Sequence, residues 1–428
     1  MSEHPLIRLV DDVAAGNRRA MTSVCSANPL VIEATLLEGL ARDGPVLVEA
    51  TCNQVNQNGG YTGMTPASFR SFVETIAGKV GFPLEHLVLG GDHLGPNPWK
   101  MLPADVAMRR AEEMIAAYAS AGFSKLHLDA SMACADDRGP SLAEEMIATR
   151  AARLASVAEL VADNCDLSAP VYVIGTEVPV PGGALEALDQ IAVTRLEDAV
   201  HTVEIHDSAF EAAGIPQAFS RCIGLVVQPG VEFGNENVVI YDPGKAAALT
   251  KALDQLPGFV FEAHSTDYQP REALVALVRD GFGILKVGPG LTFALRETLY
   301  GLDAIAVELG LLAPEERLPA AMEELMLEKA ADWATYYHGT PERQRVQRHF
   351  SYSDRIRYYW PDPRAQAAVG RLLSILEGRT IPETLISQYL GANYPEVVKG
   401  RVDPSARSLL LTGIQRALQV YSYAGQRS

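Results

Sequence analysis

The sequence predicts a (β/α)8 barrel followed by a helical extension, and three observations lead there. Across roughly the first 310 residues, short apolar runs rich in Val, Ile and Leu alternate with longer stretches of helical periodicity. These runs lack the strict polar alternation of a half-exposed strand, as expected for strands covered on both faces. There are eight of them, the number that closes a barrel when each strand is followed by a helix. The rival is a doubly wound open sheet, but no GxGxxG follows the first strand.

Taken in order, the predicted strands are Met21–Cys25, Val46–Thr51, Leu87–Gly91, Leu126–Ala130, Val171–Gly175, Ile223–Val227, Val260–Ala263 and Ile284–Val287. Helix starts between them are punctuated. Thr65 before Pro66 reads as an N-cap with proline at the first helical position, opening Ala67–Val80 with Phe69, Val73 and Ile76 on one face. Ser141 with Glu144 predicts a capping box, and Ile147, Ala151, Leu154, Ala158 and Val161 recur behind it at helical spacing. The barrel is assigned to residues 1–310. The helical extension takes 311–428, with Glu315–Ala334 expected as one amphipathic helix. An aromatic and basic stretch, His349–Trp360, comes next, then helices from Pro363 to Glu377, from Ile381 and from Pro404. No flexible linker intervenes, so the extension is expected to pack on the barrel.

Composition narrows the function classes. Of 428 residues, 48% are apolar and 21% charged, the balance of a soluble globular protein. A net charge of −17 argues against nucleic acid as partner but leaves room for a small anion in a locally positive site. The cysteines (Cys25, Cys52, Cys134, Cys165, Cys222) are scattered, without a CxxC pair. That suits a reducing cytoplasm and argues against a disulfide framework or a thiolate zinc site. The N-terminal residues carry early acidic groups and no long apolar core, unlike a signal peptide. No run approaches the roughly 18 apolar residues of a membrane span.

Barrel enzymes carry reacting groups at the C-terminal ends of their strands. Here those ends hold Asn53, Asp92-His93, Asp129, Glu177, Gln228 with Glu232 nearby, His264 and Lys286. Any one alone is more often a cap or an ion pair; converging on one rim, they predict a site, because burying so many charges is costly unless they are paired or metal-bound. His93 and His264 are the leading metal ligands, with Glu177 third, a set that suits Zn2+ or a neighbouring divalent ion with a position open to a sugar oxygen. Asp92 is a candidate general base or a group that orients a ligand, and Asp129 a candidate for the same role at a substrate hydroxyl. Gln228 is a poor zinc ligand. Two glycine loops are candidate phosphate cradles: Asn58-Gly59-Gly60 within Asn56–Gly63, and Gly288-Pro289-Gly290 ahead of a helix. Glycines also merely make turns. Lys286, Arg355 and Arg357 are candidate sources of positive charge, although arginine beside aromatics equally fits an interface anchor.

Several long motifs resemble one family. They are Glu49–Pro66, Gly90–Asn97 with its Gly-Gly-Asp-His core, Val227–Phe233, Phe261–Gln269 and Ser351–Trp360. Together they resemble the GatZ/KbaZ family, the large and so-called non-catalytic subunits of class II D-tagatose-1,6-bisphosphate aldolase, over nearly the whole chain. The resemblance implies a role in tagatose and galactitol sugar-phosphate metabolism, a ketohexose phosphate ligand, a catalytic class II aldolase chain as partner, and a homo- or hetero-oligomer. The family has also been labelled tagatose 6-phosphate kinase, and some members look like ketohexose-phosphate 4-epimerases. It is similar in turn to the catalytic class II aldolases, whose Asp-His motif Asp92 and His93 match. Glu177 matches their acidic residue near the metal, and His264 their last zinc histidine. Gln228 stands where they have a middle zinc histidine, and Ser265-Thr266-Asp267 replaces their phosphate-binding loop.

Three functions follow: an accessory aldolase subunit, a metal-dependent 4-epimerase or aldol-type lyase in its own right, and a sugar-phosphate kinase. The last is weakest, since the chain has no GxxxxGK[ST] loop.

Overall fold

The computed structural model describes residues 4–137, 142–176 and 191–426. Runs of Val, Ile and Leu become strands buried on both faces: β1 (Met21–Cys25), β2 (Val46–Thr51), β3 (Leu87–Leu94), β4 (Lys125–Leu128), β5 (Val171–Ile174) and β6 (Cys222–Val227). A short antiparallel hairpin, β7 (Glu232–Phe233) and β8 (Val238–Val239), precedes β9 (Val260–Ala263) and β10 (Phe282–Val287). Eight parallel strands close a barrel in the order β1-β10-β9-β6-β5-β4-β3-β2. The predicted fold class is what the chain adopts. The predicted strands all appear, and β3 runs on to Leu94, so Asp92 and His93 belong to the strand itself.

Helices Pro29–Arg42, Pro66–Val80, Ala104–Ser120, Glu144–Asn164, Leu196–Ala212, Arg271–Arg279 and Pro289–Glu308 return the chain between strands. Thr65 caps the second of these, its hydroxyl accepting from the Ser68 amide. The helix from Glu144 starts after Ala143; Ser141, half of the expected capping box, lies outside the described residues. Between β6 and β9 the hairpin, a short helix (Pro243–Ala246) and a 3-10 turn (Leu249–Gln255) stand in for a full helix.

The N-terminal helix Pro5–Ala14 plugs the bottom of the barrel. Its Leu6, Leu9, Val10 and Val13 pack on Leu47, Val88, Val171, Val173, Ile223, Val226, Val260 and Ile284. Beyond residue 310, the expected helix Glu315–Ala334 is shorter, Leu318–Glu328, between 3-10 turns at Pro314–Glu316 and Ala330–Asp332. Two local causes are visible: Pro319 suits a helix start, and the Trp333 indole donates to the Met326 carbonyl at 2.6 Å, turning the chain away. Helices Pro341–Phe350, Pro363–Leu376, Glu383–Tyr389, Tyr394–Val398 and Ala406–Gln426 follow. The last packs against Pro29–Arg42, Arg271–Arg279 and Pro289–Glu308. Gly413 permits a close crossing with Pro289–Glu308, since a Cβ there would lie 2.1 Å from the Thr298 hydroxyl. Among the described residues, no helix is long and apolar enough to cross a membrane, and the five cysteines are free thiols.

Candidate active site

Side chains two apart on a strand share a face, and along several strands that face changes character as it rises. Leu47 leads to Glu49, Val260 to Glu262 and His264, and Ile284 to Lys286; on β4 the polar series is Lys125, His127 and, just past the strand, Asp129. The outcome is a layer of buried ions above the apolar plug. Lys125 Nζ lies 2.5 Å from Glu49 and 2.7 Å from Glu262. Lys286 Nζ lies 2.6 Å from Glu49, 2.8 Å from Asp92 and 3.7 Å from Glu262. Gly90 leaves the space Glu49 needs, since a Cβ there would come within 2.8 Å of its side chain. Burial opposes ionisation throughout. His93, Lys286 and His127 nevertheless hold the Asp92 carboxyl well below its usual range, and Lys125 and Lys286 do the same for Glu262. Burial likewise opposes the charge on Lys286, yet Asp92 and Glu49 hold its ammonium well above its ordinary value.

Three imidazoles stand over this layer. The rings of His93, His127 and His264 are mutually 4.9 to 5.2 Å apart between centroids. Each is gripped by a carboxylate. His93 Nδ1 donates to Asp129 at 2.8 Å, His127 Nδ1 to Asp92 at 2.9 Å, and His264 Nε2 to Glu262 at 2.9 Å. The His93 amide also approaches His127 Nδ1, at 3.2 Å. The shorter, charge-assisted bond to Asp92 fixes the tautomer. His127 and His264 are each left with one lone-pair nitrogen, and His127 Nε2 is buried with no hydrogen-bond partner. Burial opposes the charge on His93, yet Asp92 and Asp129 hold its imidazole above its ordinary value. His93 is held at φ +49°, left-handed backbone that a non-glycine residue adopts at some cost. Burial pushes the His264 imidazole down to about 3, keeping it neutral.

This donor set fits a divalent cation. Metal-bound histidines usually give their second nitrogen to a carboxylate. The ligand atoms that lie within 4.8 Å of one another are those of Asp92, His127, Glu262 and His264, and His93 stands outside that group.

Above the imidazoles opens a cavity of about 330 Å3. Its lining includes Cys25, Asn53, Asp92, His93, His264, Asp267, Lys286 and Gly288, together with Tyr61, Arg357, Tyr358 and Trp360. The Arg357 guanidinium donates to the carbonyls of Ser353 and Asp354 and to the Tyr358 hydroxyl. Its cavity face thus carries charge without a carboxylate bonded to it.

The other expected residues sit elsewhere. Asp129 is beneath the cavity, engaged by His93 and the Ser131 hydroxyl, and so orients an imidazole rather than a substrate hydroxyl. Gln228 folds back onto the amides of Gly230 and Val231. The third imidazole therefore comes from β4 and not from the end of β6. Glu232 is buried behind the wall on the Phe233 amide, its carboxyl pushed up to about 7 by burial. Arg355 turns away to the Asp332 carbonyl and stacks on Tyr336, 3.3 Å from the ring centroid. Glu177 lies outside the described residues.

The amides of Asn58, Gly59 and Gly60, and those of Gly288 and Gly290, are all taken within the chain. The Asn56 carboxamide oxygen takes the amides of Asn58 and Gly60, and the Gly59 amide bonds the Asn56 carbonyl. Gly60 is a packing requirement: at φ +55°, a Cβ would lie 2.4 Å from the Gln54 carbonyl oxygen. In the second loop the amides of Gly288 and Gly290 both donate to Asp267 Oδ1, at 3.0 and 2.6 Å. Sequence reasoning missed His127, Lys125, Glu49, Glu262 and Asp267. The Lys-x-His-x-Asp alternation on β4 was the available signal for the first two.

Residues 6–426 match a family model described as D-tagatose-1,6-bisphosphate aldolase subunit GatZ/KbaZ-like. The chain is 51% identical over 410 residues to the D-tagatose 6-phosphate 4-epimerase of Agrobacterium fabrum, covering 96% of each chain. It is 49% identical over 411 residues to the D-tagatose-1,6-bisphosphate aldolase subunit GatZ of Salmonella dublin, again covering 96% of each. A crystal structure of a probable tagatose 6 phosphate kinase from Sinorhizobium meliloti 1021 superposes with a TM-score of 0.88 at 58% identity, covering 95% of this chain and 100% of that one.

Proposed function

The chain belongs to the D-tagatose-1,6-bisphosphate aldolase subunit GatZ/KbaZ-like family, and on that footing we propose that it is itself a metal-dependent enzyme that inverts C4 of a ketohexose phosphate. The observation that carries the reading is the cluster of three imidazoles, each held by its own carboxylate, of which His93 and His264 line a cavity that Arg357 also lines. A bare scaffold has no use for that arrangement. His127 and His264 would hold the ion, with His93 beside them and the carboxylates of Asp92 and Glu262 within reach, and we take it to be Zn2+ from the nitrogen donors. When bound it supplies Lewis-acid charge where negative charge develops on the sugar oxygens.

The chain's own groups do the rest. Asp92, kept ionised by Lys286, faces the cavity and takes the proton of the C4 hydroxyl. The O–H electron pair becomes a C4 carbonyl, the C3–C4 bond breaks, and its electrons pass to the C2 carbonyl oxygen as an enolate. The Lys286 ammonium lies within the same wall to balance that charge. After the C4 aldehyde turns over, the bond re-forms on its other face and Asp92 returns the proton. Nothing is oxidised or reduced overall. Arg357 binds the phosphate, with Tyr61, Tyr358 and Trp360 excluding water. Asp129 keeps His93 oriented.

A second reading, an accessory subunit of a catalytic class II aldolase, draws on the name of the Salmonella relative. Under it the protein joins that aldolase chain in a hetero-oligomer. Either reading suits a cytoplasmic protein of sugar-phosphate metabolism, in keeping with the free thiols.

The deciding measurement is incubation of the purified protein alone, loaded with Zn2+, with fructose 6-phosphate or tagatose 6-phosphate. Interconversion that His93→Ala abolishes is expected. An unchanged sugar with metal bound stoichiometrically sinks the catalytic reading for these substrates, and co-purification with an aldolase chain then favours the accessory one.

A further inference from the structure

From the loop that closes the cavity beside His264, we infer that Asp267 is a specificity determinant, restricting the site to hexuloses with a single phosphate by filling the wall with a fixed negative charge. The inference rests on the sugar-phosphate reading above. Its basis is geometric. Asp267 is 3% exposed and lines the cavity. One of its oxygens accepts from the amides of both Gly288 and Gly290, where helix Pro289–Glu308 begins. Converging amides at a helix start suit a phosphate oxygen, and here a carboxylate from the chain itself has that position. Gly290 is shaped for it, since a Cβ would come within 3.0 Å of the carboxylate oxygen.

The carboxylate is also built not to move. Ser265 and Tyr268, on either side of it, stand at φ +53° and +64°. Thr266 donates to the Lys286 carbonyl at 2.6 Å, and Tyr421 of the C-terminal helix donates to the Thr266 carbonyl at 2.7 Å. Tyr268 donates to the Tyr352 carbonyl at 2.6 Å. Strained backbone pinned from three elements is pre-organised rather than loosely parked. Burial pushes the Asp267 carboxyl up to about 6, which still leaves it ionised at neutral pH.

A substrate with one phosphate can use Arg357 and leave the Asp267 wall to neutral hydroxyls. A second phosphate brought to that wall meets both a like charge and amides already bonded. Specificity here comes from a repulsive element as much as from an attractive one.

The test is calorimetric binding of fructose 6-phosphate and fructose 1,6-bisphosphate to the Zn2+-loaded full-length protein, wild type, Asp267→Asn and Asp267→Gly, at pH 7.5. Wild type is expected to prefer the monophosphate by about tenfold or more. Asp267→Asn keeps an oxygen for the two amides, so it guards against misfolding while removing the charge; it should narrow the preference. Asp267→Gly, folded by circular dichroism, should narrow it further or reverse it. An unchanged ratio in both variants, or a wild type that takes the bisphosphate equally well, overturns the inference and leaves the substrate class standing. If wild type binds neither sugar, the substrate class itself falls, and the inference falls with it.

Discussion

The lower and upper halves of the barrel lumen are built on the same strands from opposite chemistry. Below, Leu47, Val88, Val260 and Ile284 meet Leu6, Leu9, Val10 and Val13 of the N-terminal helix with no ion among them. Two residues further along the same strands stand Glu49, Glu262 and Lys286, joined by Lys125 and Asp92 into one ion network. Apolar burial stabilises by about 25 cal/mol per Å2 removed from water, so the lower half holds the barrel closed. Buried ions gain little net stability, because desolvation offsets their attraction, but losing one partner is severe. Stability and chemistry are thus separated by a single two-residue step along β2, β9 and β10. That matches the division of a (β/α)8 barrel into a structural bottom and a reactive top.

The most forceful way to break that division is at Glu262, which serves Lys125, Lys286 and His264 at once. Glu262→Ala leaves Lys125 with Glu49 alone inside the lumen. The expected loss is about 3–5 kcal/mol of unfolding free energy in urea, together with loss of bound metal. A change under about 1 kcal/mol would mean that water or a shifted carboxylate compensates, and the upper layer would no longer count as a tightly coupled network.

The two halves also differ in how far the sequence exposed them. Strand runs were legible because residues covered on both faces must be apolar, and Asp92, His93, His264 and Lys286 were legible as polar groups ending such runs. His127 was not, because attention to strand ends passes over a polar residue one step inside. Its neighbours Lys125 and Asp129 carried the signal, a polar side chain at every second position facing the lumen. The glycine loops misled for another reason. Whether their amides are free depends on an acceptor that local sequence does not reveal: Asn56 within the first loop, and Asp267, 21 and 23 residues from the amides it takes, in the second. Arg355 and Arg357, two positions apart on a 3-10 turn, differ only in where the turn aims them, one onto Tyr336 and one into the cavity.

A lower-half substitution should invert the pattern seen at Glu262. Leu6 is fully buried in the plug, and Leu6→Ala removes its contacts without touching an ion. The expected cost is about 2–4 kcal/mol, read from the urea midpoint. Metal content and sugar-phosphate turnover at 25 °C should stay at wild-type values. A loss of turnover in the still-folded variant would tie the plug to the site and end the separation argued here.

The smallest effect sharpens the comparison, because a largely buried histidine caps the plug. His4 caps the N-terminal helix, its Nδ1 accepting from the Leu6 amide, while Nε2 meets the Ser124 hydroxyl at 3.0 Å. Burial, helped by nearby Arg8, pushes this imidazole down to about 4. A protonated His4 cannot accept from Leu6, so the folded protein binds fewer protons than the unfolded chain between about pH 4 and 6.5. Stability is therefore fully present above pH 6.5 and is lost as pH falls toward 4. Between pH 7 and pH 5 that loss is on the order of 1 kcal/mol, after discounting for the imidazole's partial exposure to solvent. His4→Asn, which retains a side-chain acceptor for the helix start but cannot titrate, should be less stable than wild type at pH 7 by a smaller amount and should lose less on acidification. The measurement is the urea midpoint of both proteins, stripped of metal, at the two pH values. If the gap between them is the same at pH 5 as at pH 7, His4 is not what makes the lower half acid-sensitive, and the whole pH response belongs to the ion layer above it.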